Sequence, residues 1–298
     1  MEHHKIHHEN HENHEIQDVG WDILNGSVQG PAKPLNQDWS DAEITPDGAL
    51  VLAVADGHGS AAHPLSHLGA RYAVDVFKLC GADFAARARQ SARQPGGGGL
   101  RRLWADAHDR VPRELVRTWQ DWVVKRHHGE PGEPRPATPD LLRAYGTTLI
   151  GAVLTEGLFA AWQLGDGDLM VVDADGTIAQ PLAPATPELG DETESMCSRQ
   201  AWDLVRVHWA PVSDPARLPR LVALSTDGLS NSFAARDGFV RFVREMDQRI
   251  TAEGTGPIGE ALPEWLARAG SYSGDDTTAV VARLRRPAAA AALSETED

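Results

Sequence analysis

The chain has 298 residues, 41% of them hydrophobic, which is enough for a packed core in one large domain or two small ones. Its 43 acidic residues outnumber its 28 lysines and arginines and give a formal net charge of −15, which argues against a nucleic-acid partner. No run of about eighteen apolar residues is present to span a membrane, and two cysteines, Cys80 and Cys197, are too few for a disulfide framework and lack metal-site spacing.

Residues 1–17 form a polar tail in which six of the 13 histidines fall within the first 14 positions. With only Ile6 and Ile16 as apolar residues, the tail has nothing to fold around and no apolar core of a signal peptide, so it is read as inert and the protein as cytoplasmic. One domain is expected over residues 18–286, opening with "VGWDILNGSVQG" (19–30) and followed by a tail over 287–298. "VLAVADGHGS" (51–60) is an apolar strand that stops at an acidic residue. The spacing of Leu65, Leu68, Tyr72, Val76 and Leu79 predicts a helix after that turn. "QPGGGGL" (94–100) is a break, and the amphipathic stretch after it predicts one or two helices interrupted near Pro112. "GEPGEPRPATP" (129–139) is a loop.

From residue 147 the period changes. "TTLIGAVL", "LFAAWQLG" and "LMVVDADG" read as an antiparallel meander, residues 180–202 as an irregular surface insert, and "DLVRVHW", "RLVALSTDG" and "TAVVARL" as three more strands. Two helical stretches, "GFVRFVREMDQRI" and "PIGEALPEWLARAG", separate the last two strands. Strands and helices do not alternate strictly, which predicts an α+β domain of antiparallel sheets faced by helices.

An Asp-Gly turn is ordinary in isolation. Here strand ends carry acidic residues repeatedly: Asp56, Asp166 with Asp168, Asp227, and Asp275 with Asp276. Carboxylates that converge from separate strands repel one another unless a cation lies between them.

The ordered set "NQD" (36–38), "ADGHG" (55–59), "GTTL" (146–149), "LGDGD" (164–168), "STDG" (225–228) and "GDDTT" (274–278) resembles the signature series of the metal-dependent Ser/Thr protein phosphatases of the 2C type. The resemblance implies a four-layer α-β-β-α sandwich, two antiparallel β-sheets flanked by helices. It also implies two Mg²⁺ or Mn²⁺ ions held by oxygen ligands, which lower the pKa of a shared water for in-line attack on phosphorus. By that resemblance Asp56 bridges the metals, Gly57 offers its carbonyl, Asp227 and Asp275 complete one site, and Asp38 contributes directly or through water. His58 matches the general acid that protonates the leaving oxygen. Some members hold a third metal, for which Asp140 is the candidate; Asp166 is read as standing behind the ligands and Asp168 as a turn residue.

Two positions depart from the pattern. Lys33 stands in the place of a phosphate-binding arginine, giving charge without a planar fork. Gln37 replaces a common glutamate, which predicts a weaker second metal, and Asp276 restores some negative charge. The implied partner is a phosphorylated protein, with a Ser/Thr kinase as counterpart. The alternatives are a pseudophosphatase that binds phosphoproteins without turnover, a cation-stabilised structural protein, and a hydrolase of another phosphoester.

Overall fold

The computed structural model describes residues 20–92, 98–128, 138–183 and 193–285. The expected tails lie outside the described residues, as do most of the 129–139 loop and of the 94–100 break. The strands are β1 (Gly20–Val28), β2 (Asp38–Ile44), β3 (Leu50–Asp56), β4 (Leu149–Thr155), β5 (Leu158–Leu164), β6 (Asp168–Val172), β7 (Ile178–Ala179), β8 (Arg206–Pro211), β9 (Leu221–Ser225) and β10 (Thr277–Arg285). The helices are α1 (Ser66–Ala92), α2 (Gly98–Ala105), α3 (Val111–His128), α4 (Pro139–Ala144), α5 (Asp227–Ser230), α6 (Arg236–Glu253) and α7 (Thr255–Ser273). Two five-stranded antiparallel sheets form, ordered β1-β10-β9-β6-β7 and β2-β3-β4-β5-β8.

Side-chain alternation along β3 explains the layers. Leu50, Leu52 and Val54 meet Leu169, Val222, Leu224 and Val280 between the sheets. Val51, Ala53 and Ala55 face the other way, onto Phe77 and Phe84 of α1 and Trp119 of α3. A third apolar layer joins Met170, Ala223 and Val281 to Val243 of α6 and Leu262 and Leu266 of α7. Strands covered on both faces therefore read as continuous apolar runs, and the four-layer sandwich stands as expected.

Three local readings are corrected, and one strand is added that the sequence does not signal. The meander stops at β5: β6 crosses to the other sheet and pairs with β9, which is why the connecting turn carries glycines and acids. β2, "DWSDAEI", shows no strand signal because it is an edge strand with one mostly polar face. Leu79 is exposed, because α1 turns Ala73, Val76, Phe77, Cys80 and Phe84 into the core and leaves position 79 on its outer face. The described end of the 180–202 segment is not surface, because Met196 and Ala201 are buried in the α1-side core. The interruption expected near Pro112 is a five-residue π-helical turn, Asp106–Arg110, just before it.

The strand registers place the acidic ends together. Asp38 pairs with Asp56 across β2 and β3, and Ser225 of β9 pairs with both Asp168 and Ala279. The starts of β2, β6 and β10 and the ends of β3, β5 and β9 thus share one end of the sandwich.

Candidate metal centre

Asp56 ends β3 where the "GTT" segment takes over its backbone. Its N–H donates to Thr148 Oγ1 (3.0 Å), and its carbonyl accepts from Thr148 N and Thr147 Oγ1, both at 2.8 Å. The next residue, Gly57, bridges to Thr147 and donates to the Gln37 carbonyl. A Cβ there would sit 2.7 Å from the Ser66 backbone carbon and 2.8 Å from the Gln37 oxygen, so only glycine lets α1 approach this closely.

Asp38 is buried at the start of β2. Oδ2 accepts from Thr226 Oγ1 (2.8 Å), while Oδ1 is enclosed and has no hydrogen-bond partner among the described residues. Thr226 also accepts from Thr278 N, tying β9, β10 and Asp38 together. Asp227 follows as the first residue of α5, with Asn231 donating to it at 2.9 Å, and its charge, added to burial, raises the Asp56 carboxyl. A Cβ on Gly228 would fall 1.9 Å from the Asp276 carbonyl oxygen, so this glycine allows the β9 end to pack on the β10 start.

Electrostatics follow from the crowding. Burial first, opposed by Thr226 and Thr278 and reinforced by Asp276 and Asp227, pushes Asp38 up to about 7. Burial and then the charges of Asp38 and Asp227 raise Asp56 well above the carboxylate range, and burial with Asp166 raises Asp227. A buried unpaired oxygen and carboxylates that raise one another's pKa are the environment a divalent cation satisfies, and an all-oxygen donor set suits Mg²⁺ or Mn²⁺. Among the described residues, no three His, Cys, Asp or Glu side chains close into a complete cage. Mg²⁺ does not need one, because it keeps several waters and takes few carboxylates.

The loop between β1 and β2 brings Lys33 to this group, with Nζ 2.5 Å from Asp275 Oδ1. Burial opposes its charge, but the bond to Asp275 and the charges of Asp275, Asp276 and Asp56 raise its pKa above the usual lysine value. Asp276 serves that loop: its two oxygens accept from Gly30 N and Gln37 N, each at 2.8 Å. Gln37 donates to Ser66 Oγ (2.6 Å) and to the His58 carbonyl (3.1 Å), bonds a glutamate could not donate.

His58 N donates to the Gly146 carbonyl, and its ring lies 4.8 Å from that of His63, whose Nδ1 is 2.5 Å from the Arg143 carbonyl. Burial first and His63 second push His58 down to about 4, against the charge of Asp166. Asp166 is exposed in the β5–β6 turn. Asp168 is a buried strand residue rather than a turn residue, bonded by Arg236 (2.8 Å) and Gln180 (2.7 Å). Asp140 stands apart, exposed in the first turn of α4 without a hydrogen bond or ion pair to the cluster among the described residues. Thr147, Thr148 and Thr226 lie inside the quoted motifs, but their part in holding Asp56 and Asp38 is visible only in three dimensions. Burial pushes the Cys80 thiol up to about 12, so it is no nucleophile.

The sequence profile of the family described as protein phosphatase 2C matches residues 32–267. The chain belongs to the protein phosphatase 2C family, and it is a protein-serine/threonine phosphatase. A search of curated protein sequences returns no match. Among solved structures, the fold is similar to the catalytic domain of the serine threonine protein phosphatase PstP, solved with two manganese ions. The TM-score is 0.58 at 17% identity, covering 90% of this chain and 100% of that one. It is also similar to the serine/threonine phosphatase Stp1 from Staphylococcus aureus, with TM-score 0.56, 15% identity and coverage of 90% and 98%. RsbX in complex with magnesium gives a TM-score of 0.50 at 14% identity, covering 89% and 96%. Among the described residues, no helix is long and apolar enough to cross a membrane.

Proposed function

We propose that this phosphatase removes phosphate from serine and threonine side chains of proteins phosphorylated by a Ser/Thr kinase, using two Mg²⁺ or Mn²⁺ ions held at the acidic end of the sandwich. The observation that carries the reading is the enclosed oxygen of Asp38, without a hydrogen-bond partner among the described residues, with Asp56 opposite it across β2 and β3. Asp38, Asp56, Asp227 and Asp275, with the Gly57 carbonyl, are the ligands; the exposed Asp140 is the candidate for a third ion. When bound, the ions supply positive charge for the phosphoryl oxygens and acidify a water for attack on phosphorus.

The chain's own residues do the rest. Lys33, already drawn in by Asp275, neutralises phosphoryl charge at the mouth of the site. His58 stands neutral, part-buried at the start of its turn; an incoming dianionic phosphoryl group favours its protonated form, from which it gives a proton to the departing serine or threonine oxygen. Gln37 and Gly146 fix the backbone of that turn through the His58 carbonyl and N–H. Both cysteines are free thiols, which suits a cytoplasmic location.

The test is phosphate release from a phosphothreonine peptide by protein stripped of metal and then resupplied with Mn²⁺ or Mg²⁺. Turnover should appear only with metal and vanish in Asp56→Ala and Asp227→Ala, both of which should remain folded. Wild-type rates in either variant would overturn the ligand assignment.

A further inference from the structure

Hydrogen bonds fix the backbone of His58 on both sides, since its N–H donates to the Gly146 carbonyl at 3.1 Å and its own carbonyl accepts from Gln37. Among the described residues its imidazole makes no hydrogen bond, although a group that transfers a proton needs its ring held at one angle. Two neighbours close on that ring instead. The His63 ring lies 4.8 Å away, centre to centre and tilted by 60°, within the range of about 4.5–7 Å for packed aromatic pairs. On the other flank is Gly146, where an added Cβ would sit 2.9 Å from His58 Cδ2 and 2.5 Å from His63 Nδ1. Only glycine lets the backbone at position 146 wall both imidazoles.

His63 is itself anchored. Pro64 biases it towards extended backbone, and its N–H donates to the Ser60 carbonyl at 2.9 Å. Its Nδ1 donates to the Arg143 carbonyl at 2.5 Å; a carbonyl only accepts, so the ring carries a proton at Nδ1. Leu65 N donates to the Ala144 carbonyl at 2.8 Å. The 58–65 segment thus satisfies carbonyls 143, 144 and 146 at and just beyond the end of α4 and is held to it.

We propose that His63 is a positioning residue: its ring, pinned to the end of α4, holds the His58 imidazole against Gly146 in the orientation from which it protonates the departing oxygen. The inference rests on the acid role given to His58 above and adds the residue that orients it. If His63 only secured α4, a ring beside His58 would be unnecessary, since any donor could reach the Arg143 carbonyl. Misplacing a reacting group by about 1 Å can cost about a hundredfold in rate, so a wall of this kind matters to turnover.

The experiment uses the full chain with Mn²⁺ and compares a phosphothreonine peptide, whose leaving oxygen needs a proton, with p-nitrophenyl phosphate, whose leaving oxygen scarcely does. His63→Ala should lower kcat/KM about tenfold on the peptide and less than about twofold on p-nitrophenyl phosphate. His63→Phe, which keeps a ring and loses the bond to Arg143, should retain most of the peptide activity. His63→Gln, which can keep the bond without the ring, should behave as His63→Ala does. On the peptide, His58→Ala combined with His63→Ala should be no more than about twofold slower than His58→Ala alone, because no imidazole is left to orient. Equal losses on the two substrates in His63→Ala, activity kept by glutamine but not by phenylalanine, or a further loss of about tenfold in the double variant would overturn the proposal alone. If His58→Ala itself slows both substrates equally, the acid role of His58 falls and this inference falls with it.

Discussion

Asp275 and Asp276 are adjacent, yet their side chains do different work. Asp276 is buried and occupied by two backbone N–H groups of the loop that carries Lys33, whereas Asp275 is part-exposed and faces the lysine. Asp276→Ala should therefore cost about 2–3 kcal/mol in urea unfolding, because both N–H groups lose their partner. Asp275→Ala should leave the unfolding curve nearly unchanged and abolish phosphate release; the reverse pattern would exchange the roles. His58→Ala should slow release of serine or threonine about a hundredfold but change p-nitrophenyl phosphate hydrolysis far less, since p-nitrophenolate scarcely needs a proton. Equal losses on both substrates would remove His58 from the acid role. Asp56 and Asp227 were legible in the sequence because each follows an apolar run into a glycine turn, and Asp275 because it follows Gly274 and precedes an apolar run. What Gln37 and Asp276 do was not, because hydrogen bonds between residues more than 200 positions apart, such as Gln37 to Asp276, leave no local pattern.

At the scale of elements, the π turn between α2 and α3 has an identifiable partner. The Ala107 carbonyl at that turn accepts from the indole N–H of Trp162 on β5 at 2.7 Å, and Trp162 packs edge-on against Phe84 of α1. Proline at position 112 removes one backbone donor from the start of α3, and the looser turn leaves the Ala107 carbonyl open to a side chain. Trp162→Phe keeps the ring but strands that carbonyl in the core, and should destabilise by about 1–3 kcal/mol in chemical unfolding with no change in kcat. A stability loss below about 0.5 kcal/mol would mean the carbonyl finds another donor. The sequence located an interruption here from proline alone, but its form depends on a tryptophan fifty-five residues away. The same limit explains the meander: periodicity finds β5 and β6 as strands, while their assignment to different sheets is set by which apolar face meets which layer.

Across the whole molecule, the acidic end trades stability for metal binding. Asp38, raised to about 7, and Asp56 and Asp227, also raised, hold protons in the folded protein at pH values where the unfolded chain, near 3.8, has released them. The folded state therefore binds more protons between about pH 4 and 7, and metal-free stability falls as pH rises through that window. Below the unfolded value the contribution disappears; above the folded values the full repulsion remains. A divalent cation reverses this, since it binds the ionised carboxylates and adds about 2.7 kcal/mol at a concentration one hundred times its Kd. The melting temperature gain on adding Mn²⁺ should thus be small at pH 5 and several degrees at pH 8, measured against the same protein in EDTA. Asp38→Asn keeps an oxygen for Thr226 but removes one of the repelling charges. It should melt higher than the wild type in EDTA at pH 8, gain less from Mn²⁺, and turn over substrate more slowly. A variant that melts lower than the wild type in EDTA would show that Asp38 stabilises the fold through its charge, and that the strain at this end of the sandwich does not come from its carboxylates.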